Sequence, residues 1–271
     1  MAFQVEDQVY QTPGGEPLLA RVYRPEGPGP FPAVLEVHGG AWTSGDRFNN
    51  VAIAEALADD GVVVASIDFR MPPVAGYPDT VADVNLGIRW LKAQAVEFGS
   101  RPDLVGGLGT SSGGHLLLLS ALRPHDPRYT VLPLPGADAT LAFAIACWPV
   151  ADPLTRYRVM RERGNERLVA AHDQFWPSEA DMEDANPTLI LTRGEPVAKP
   201  PVLIMQGTAD TNLTLDMADR FADAYAAAGG SVTKEIFPDQ PHAFIPNAPE
   251  APASRRALAL IKRFVHQHSR P

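Results

Sequence analysis

The sequence predicts an α/β fold, a mostly parallel sheet of about eight strands opened by an antiparallel hairpin and covered by helices on both faces. Three observations predict it. Residues 3–11 and 17–24 alternate apolar and polar side chains across the breaker Pro13-Gly14-Gly15, the pattern of two paired strands with one wet face. Beyond residue 30 the pattern changes to short, continuous apolar runs rich in branched residues, as in parallel strands buried on both faces. Between those runs lie stretches with apolar residues three and four positions apart, and such alternation of strand and helix closes into a parallel sheet.

Taken in order, buried strands are expected at 33–37, 62–67, 104–108, 141–147 and 202–205, with a further strand at 232–237. A helix is expected at 49–59, where Val51, Ala54, Leu57 and Ala58 share a face, and another at 80–98, where Val84, Ile88, Leu91 and Ala95 do. Helices at 112–122, 214–228 and 252–267 complete the series. The segment 152–195 breaks the alternation, being rich in Arg, Glu and aromatic residues and lacking a buried-strand run. It reads as a small helical cap inserted after the strand that ends at Trp148, within one domain spanning residues 1–271. Ligands of open parallel sheets sit beyond the carboxyl ends of the strands, so the chemistry is expected in the loops that follow the apolar runs.

Composition narrows the function classes. The 271 residues include 23 basic and 32 acidic side chains, a formal net charge of -9, which disfavours nucleic acid or an anionic membrane surface as partner. Cys147 is the one cysteine, lies in an apolar run, and excludes an intrachain disulfide framework. The N-terminal residues carry no basic stretch followed by an apolar one, and no apolar run approaches a membrane span, so a cytoplasmic location is expected. The sequence leaves homo-oligomerisation open. No metal-ligand spacing, phosphate loop or dinucleotide fingerprint occurs, and neither metal nor organic cofactor is expected.

The run Gly109-Thr110-Ser111-Ser112-Gly113 follows an apolar strand and opens an apolar helix. A serine at a tight strand-to-helix turn is lifted above the sheet edge, and the crowded positions two before and two after it require glycine. Ser111 meets that requirement with Gly109 and Gly113, whereas Ser112 would put Thr110 in the first crowded place. Ser111 is therefore the candidate nucleophile. Upstream, His38-Gly39-Gly40-Ala41-Trp42 follows the 33–37 strand, and the backbone N–H groups of Gly40, Ala41 and Ser112 are candidate donors to a developing oxyanion. His38 reads as a brace for this loop.

A serine nucleophile needs a base and an acid. Asp210 follows the strand at 202–205, and His242 follows the strand at 232–237, so both emerge at the edge that carries Ser111. Other candidates read as structural: His115, His125, His172, His266 and His268 among the histidines, and Asp239 and Asp152 among the acids, Asp152 being the stronger rival.

The segments HGGAW at 38–42, GTSSGGH at 109–115, GTAD at 207–210 and PHAF at 241–244 together resemble the α/β-hydrolase family, in its HGG-motif esterase, lipase and arylformamidase branch. Ala41 in the third position makes the loop similar to that of arylformamidases and feruloyl-esterase-like proteins, where hormone-sensitive-lipase-like carboxylesterases carry glycine. The resemblance implies the hydrolase fold and a Ser111, Asp210 and His242 triad. The expected activity is hydrolysis of a small-molecule carboxylic ester through an acyl-serine, with amide or formamide hydrolysis by the same triad, or a non-catalytic binding protein, as alternatives.

Trp42, Trp148, Tyr157 and Trp176 fall in loops and cap expected to wall the site, and are candidate substrate contacts. Arg156, Arg158, Arg161, Arg163 and Arg167 read first as a solvated helix face beside Glu162 and Glu166, with a clamp on a substrate carboxylate as the competing reading.

Overall fold

The computed structural model describes residues 1–269. Its strands are β1 (Phe3–Gln11), β2 (Leu18–Pro25), β3 (Phe31–Val37), β4 (Val63–Ile67), β5 (Ser100–Thr110), β6 (Ala144–Cys147), β7 (Val202–Gly207) and β8 (Val232–Phe237). They form one sheet in the order β1-β2-β4-β3-β5-β6-β7-β8. The β1–β2 and β2–β4 pairs are antiparallel, and all pairs from β4 to β8 are parallel. The sequence pattern has a plain cause for β3, β4, β6 and β7, which are buried along nearly their whole length, whereas β1 at the edge is largely in water on both faces, with Val5 and Val9 exposed.

The helices are α1 (Val51–Asp59), α2 (Asp79–Gln94), α3 (Ser112–Leu122), α4 (Pro153–Glu162), α5 (Glu166–Phe175), α6 (Glu179–Asp184), α7 (Pro187–Thr192), α8 (Met217–Ala227), α9 (Phe244–Asn247) and α10 (Pro252–His268). On one side α1 packs against α10; on the other α2 packs against α3, α3 against α7, and α7 against α8. This is the α/β-hydrolase architecture the motifs implied. Among the described residues no helix is long and apolar enough to cross a membrane.

Several boundaries differ from the sequence reading. The helix expected at 214–228 starts at Met217, because residues before it form turns against Gln206, whose side chain bonds Thr214 O and Ala218 N. The strand expected at 141–147 is shortened to Ala144–Cys147, although Ala142 and Phe143 still exchange backbone bonds with β5. The four-residue α9 was not expected; it is too short to show a helical period.

Between β6 and β7 the helices α4 to α7 occupy the segment that broke the strand and helix alternation. Asp152, Asn165, Ser178 and Asn186 each cap one of them by accepting the N–H three residues on. Asp152 also accepts bonds from Asn186 Nδ2 at 2.7 Å and Arg220 Nη1 at 2.8 Å, so its carboxylate is a structural hub.

Candidate active site

Ser111 sits between the last residue of β5 and the first of α3 with φ 53° and ψ -118°. Such a conformation costs a non-glycine residue about 1–3 kcal/mol and persists only when its surroundings impose it. Here Ser111 N–H donates to Cys147 O at 3.0 Å, and Ser111 O accepts from Val150 N at 3.1 Å and His115 N at 3.2 Å. The flanking glycines are obligatory for a steric reason. A Cβ at position 113 would lie 2.1 Å from His38 O, and one at 109 would lie 2.5 Å from Gly113 O. Ser112 is differently employed: its buried hydroxyl accepts the Trp42 backbone N–H at 3.1 Å.

Asp210 lies three residues beyond β7. Its Oδ1 accepts the N–H groups of Asn212 at 2.8 Å and Leu213 at 3.2 Å, which fixes the carboxylate and aims Oδ2 at His242 Nδ1, 2.7 Å away. With the carboxylate accepting, Nδ1 carries the imidazole proton, and Nε2 presents its lone pair to Ser111 Oγ at 2.9 Å. The two loops are pinned together by Thr208 N to Phe237 O, Ala209 N to Gln240 O, and Asp239 N to Thr208 Oγ1. Asp239 itself is exposed and Asp152 caps α4, so neither meets the histidine.

The loop after β3 turns through left-handed conformations at Gly40, Ala41 and Trp42, with φ of 118°, 52° and 64°. Among the described residues, the N–H groups of Gly40 and Ala41 have no intramolecular acceptor, and both residues line the cavity beside Ser111. Ser112, first residue of α3, likewise has no partner four residues back for its N–H. His38 is buried, stacks on Phe69 at 4.2 Å and places Nδ1 2.6 Å from Gly39 O, which makes it the brace the sequence suggested.

Beneath this loop lies a polar link that sequence reasoning missed. Buried Asn50 donates from Nδ2 to Glu36 Oε1 at 2.5 Å and to Thr110 Oγ1 at 3.0 Å, joining β3 to the residue before Ser111. Burial pushes the Glu36 carboxyl up to about 7, opposed by the bond from Asn50.

Ser111 and His242 open into a cavity of about 280 Å³. Of the four expected wall aromatics, Trp148 lines it and three do not. Trp42 is fully buried: it stacks on Phe175 at 5.1 Å and meets His115, His172 and Trp176 edge-on. Left-handed turns at Ala41 and Trp42 carry the ring away from the cavity and under α5. Trp176 belongs to the same buried cluster, and Tyr157 reaches across α5 to donate to Asp173 Oδ1 at 2.7 Å. In this cluster Trp42 Nε1–H faces His115 Nδ1 at 3.3 Å and His115 Nε2 faces Ala185 O at 2.9 Å, so the proton is on Nε2; burial pushes that imidazole down to about 4.

The insertion contributes Arg156, Arg167 and Leu168 to the cavity wall, with Asn49 and Asn212 from loops and Pro246 and Asn247 from α9. The arginine stretch is therefore not one face. Arg158 and Arg161 are exposed beside Glu179, whereas Arg156 is buried. A signal for this was present, since Arg156 lies three residues after Pro153 and four before Met160, both buried on the inner face of α4.

The BD-FAE family model matches residues 21–225, about three quarters of the chain and all the strands from β3 to β7. The chain is 29% identical over 250 residues to esterase LipC of Mycobacterium tuberculosis, covering 88% of this chain and 59% of LipC. It is 31% identical over 206 residues to the probable carboxylic ester hydrolase LipM of the same organism, covering 72% of this chain and 45% of LipM. It thus spans roughly half the length of these two relatives. Among solved structures, the propionate-bound thermophilic esterase Est2 of Thermogutta terrifontis superposes with a TM-score of 0.77 at 25% identity, over 97% of this chain and 94% of that one.

Proposed function

The chain belongs to the BD-FAE family of α/β-hydrolases, and on that premise we propose that it is a serine esterase cleaving a small carboxylic ester through an acyl-serine intermediate. The observation that carries this reading is the unbroken hydrogen-bond chain from Asp210 through His242 to Ser111, opening on a cavity lined by Gly40 and Ala41, whose N–H groups have no acceptor among the described residues. In this reading residues 1–271 make one hydrolase domain, and 152–195 is its cap.

Ser111 Oγ attacks the ester carbonyl carbon as His242 Nε2 takes its proton, and Asp210 holds the resulting imidazolium in place. The oxyanion that develops is met by the N–H groups of Gly40, Ala41 and Ser112, the last at the positive end of α3. His242 returns the proton to the departing alkoxide, which leaves as the alcohol. Water then enters, His242 removes its proton, and the acid product is released from Ser111. The propionate bound to the Thermogutta esterase is a short acid, and a short acyl group is the preference we carry over.

The test is Ser111→Ala. We expect loss of fluorophosphonate labelling and a fall of about 10⁴-fold or more in turnover of short-chain aryl esters, with an unchanged circular dichroism spectrum. Labelling that persists at Ser112 overturns the assignment of the nucleophile. Running N-formyl aromatic amines beside the esters separates the two chemistries, because an amine leaving group depends more heavily on protonation by His242.

A further inference from the structure

The cavity wall contains a charge that the hydrolytic machinery does not use. Arg156 is 1% exposed, lies over the Trp42 ring at 5.4 Å, and donates from Nε to Asn212 O at 3.1 Å. Its Nη1 is buried with no hydrogen-bond partner, and among the described residues no carboxylate pairs with the guanidinium. Burial pushes it down to about 10 against the pull of Asp210, with the like charge of Arg167 adding to the fall, so it remains a cation at neutral pH. Arg167, exposed on α5, lines the same cavity and likewise has no acid partner among the described residues.

The other buried arginine, Arg89, also lacks an acid, but its Nε and Nη2 are bonded to Asn85 Oδ1 and Leu132 O, and none of its nitrogens is left buried without a partner. Neighbouring Arg158 and Arg161 face Glu179, and Arg220 is shared by Asp152 and Asp216. A buried cation without an acid partner is expensive, and the like charge of Arg167 on the same cavity wall adds to the cost for Arg156. No aspartate or glutamate lines that cavity; its remaining walls are glycine, amide, hydroxyl and apolar groups with His242. The cavity lining is therefore cationic, a match for an anionic group on the substrate.

We propose that the cavity selects an ester bearing a free carboxylate, held by Arg156 and Arg167 while its ester group lies against Ser111. The inference rests on the esterase reading and names its substrate class. A carboxylate matches guanidinium geometry through charge-assisted, potentially bidentate bonds, and would give the Arg156 charge the counter-charge it lacks. The carboxylate can sit on the acyl side or the alcohol side of the ester, and both arms are tested.

The experiment compares kcat/KM in a pH-stat for monomethyl glutarate against methyl pentanoate, and for 3-acetoxypropanoate against butyl acetate. The wild type is expected to prefer the carboxylated member of at least one pair by about tenfold or more. That preference ratio should fall about tenfold in Arg156→Gln and in Arg167→Gln, and recover in part in Arg167→Lys. Arg156 also touches Asn212, whose N–H holds Asp210, so the ratio between substrates is the readout; a merely structural loss lowers both members together. Arg167 is exposed, which keeps one variant free of folding damage.

Calorimetric titration with free glutarate reads the same site without turnover, and saturable binding that weakens about tenfold in Arg167→Gln is expected. Preference for the neutral ester in both pairs, or an unchanged ratio in both glutamine variants, overturns the proposal, as does the absence of glutarate binding. Failure of the esterase reading looks different: no ester of either kind is cleaved and Ser111 is not labelled.

Discussion

The carboxyl edge of the sheet and the insertion from α4 to α7 both face the same cavity, but they build it by different means. At the edge, position is imposed through the backbone. Ser111 is held by three main-chain bonds, Asp210 by two N–H donors, and the His242 loop by main-chain bonds to the Asp210 loop. In the insertion, position comes from side chains: four short capped helices are docked by Trp42, Phe175 and Trp176, and by Arg156 reaching Asn212. The contrast teaches that reacting atoms need fixed backbone, while the wall that selects substrate can be assembled from side chains.

The largest test of that contrast is chemical. Asp210→Asn leaves the shape of the edge intact but removes the charge that fixes the His242 tautomer, and kcat for short esters should fall about 10³–10⁴-fold. Tyr157→Phe in the insertion removes only an exposed bond to Asp173, and kcat should change less than about twofold. Steady-state kinetics on both variants, with unfolding curves as control, checks the pair. Comparable losses would erase the distinction between the two regions.

Glycine replacement gives the next effect in size. At the edge, Gly113→Ala drives a Cβ to within about 2.2 Å of two carbonyl oxygens, Val37 O and His38 O, with backbone on both sides and nothing able to yield. A loss of about 3 kcal/mol or more is expected. In the insertion, Gly164 has φ +66° but no atom within 4 Å of its virtual Cβ, so Gly164→Ala should cost only about 1 kcal/mol for the left-handed conformation. Urea denaturation of each variant decides it, and equal costs would mean the elbow is less constrained than its geometry.

Gly113, with Gly109, also explains what is legible in the sequence. A Cβ at Gly109 would meet Gly113 O inside the turn and one at Gly113 would meet Val37 O and His38 O where β3 ends, so the spacing of these glycines marks Ser111 in the sequence. Asp210 and His242 were legible because each follows a buried strand, and parallel topology brings such loops to one edge. Trp42 was misjudged, because the direction of its ring depends on two successive positive φ angles that no residue type there announces. Arg156 was averaged into its neighbours, although its spacing with Pro153 and Met160 distinguished it from Arg158. Glu36 has no signal in the sequence because a single acid inside an apolar strand makes no pattern; its meaning comes from Asn50, which donates to it and to Thr110.

The smallest effect is a pH dependence of opposite sign in the two regions. At the edge, burial raises the Glu36 carboxyl from 4.5 to about 7, so between those values the folded chain binds a proton that the unfolded chain has released. Stability is then fully present below pH 4.5 and falls as pH rises through the window, by about 1.4 kcal/mol per unit, levelling off above 7. In the insertion, burial and then the charge of Arg156 push His172 from 6.5 down to about 3, so the unfolded chain takes up its proton first. Stability from that group is present above pH 6.5 and falls as pH drops toward 3, again by about 1.4 kcal/mol per unit. Relative to wild type, Glu36→Gln should therefore gain about 2–3 kcal/mol between pH 5 and pH 7, while His172→Gln should gain about 2 kcal/mol in the reverse direction. Urea unfolding of the three proteins at the two pH values measures both slopes. Slopes of the same sign would mean that one of these groups is solvated in the folded chain, and the region it belongs to is looser than its packing.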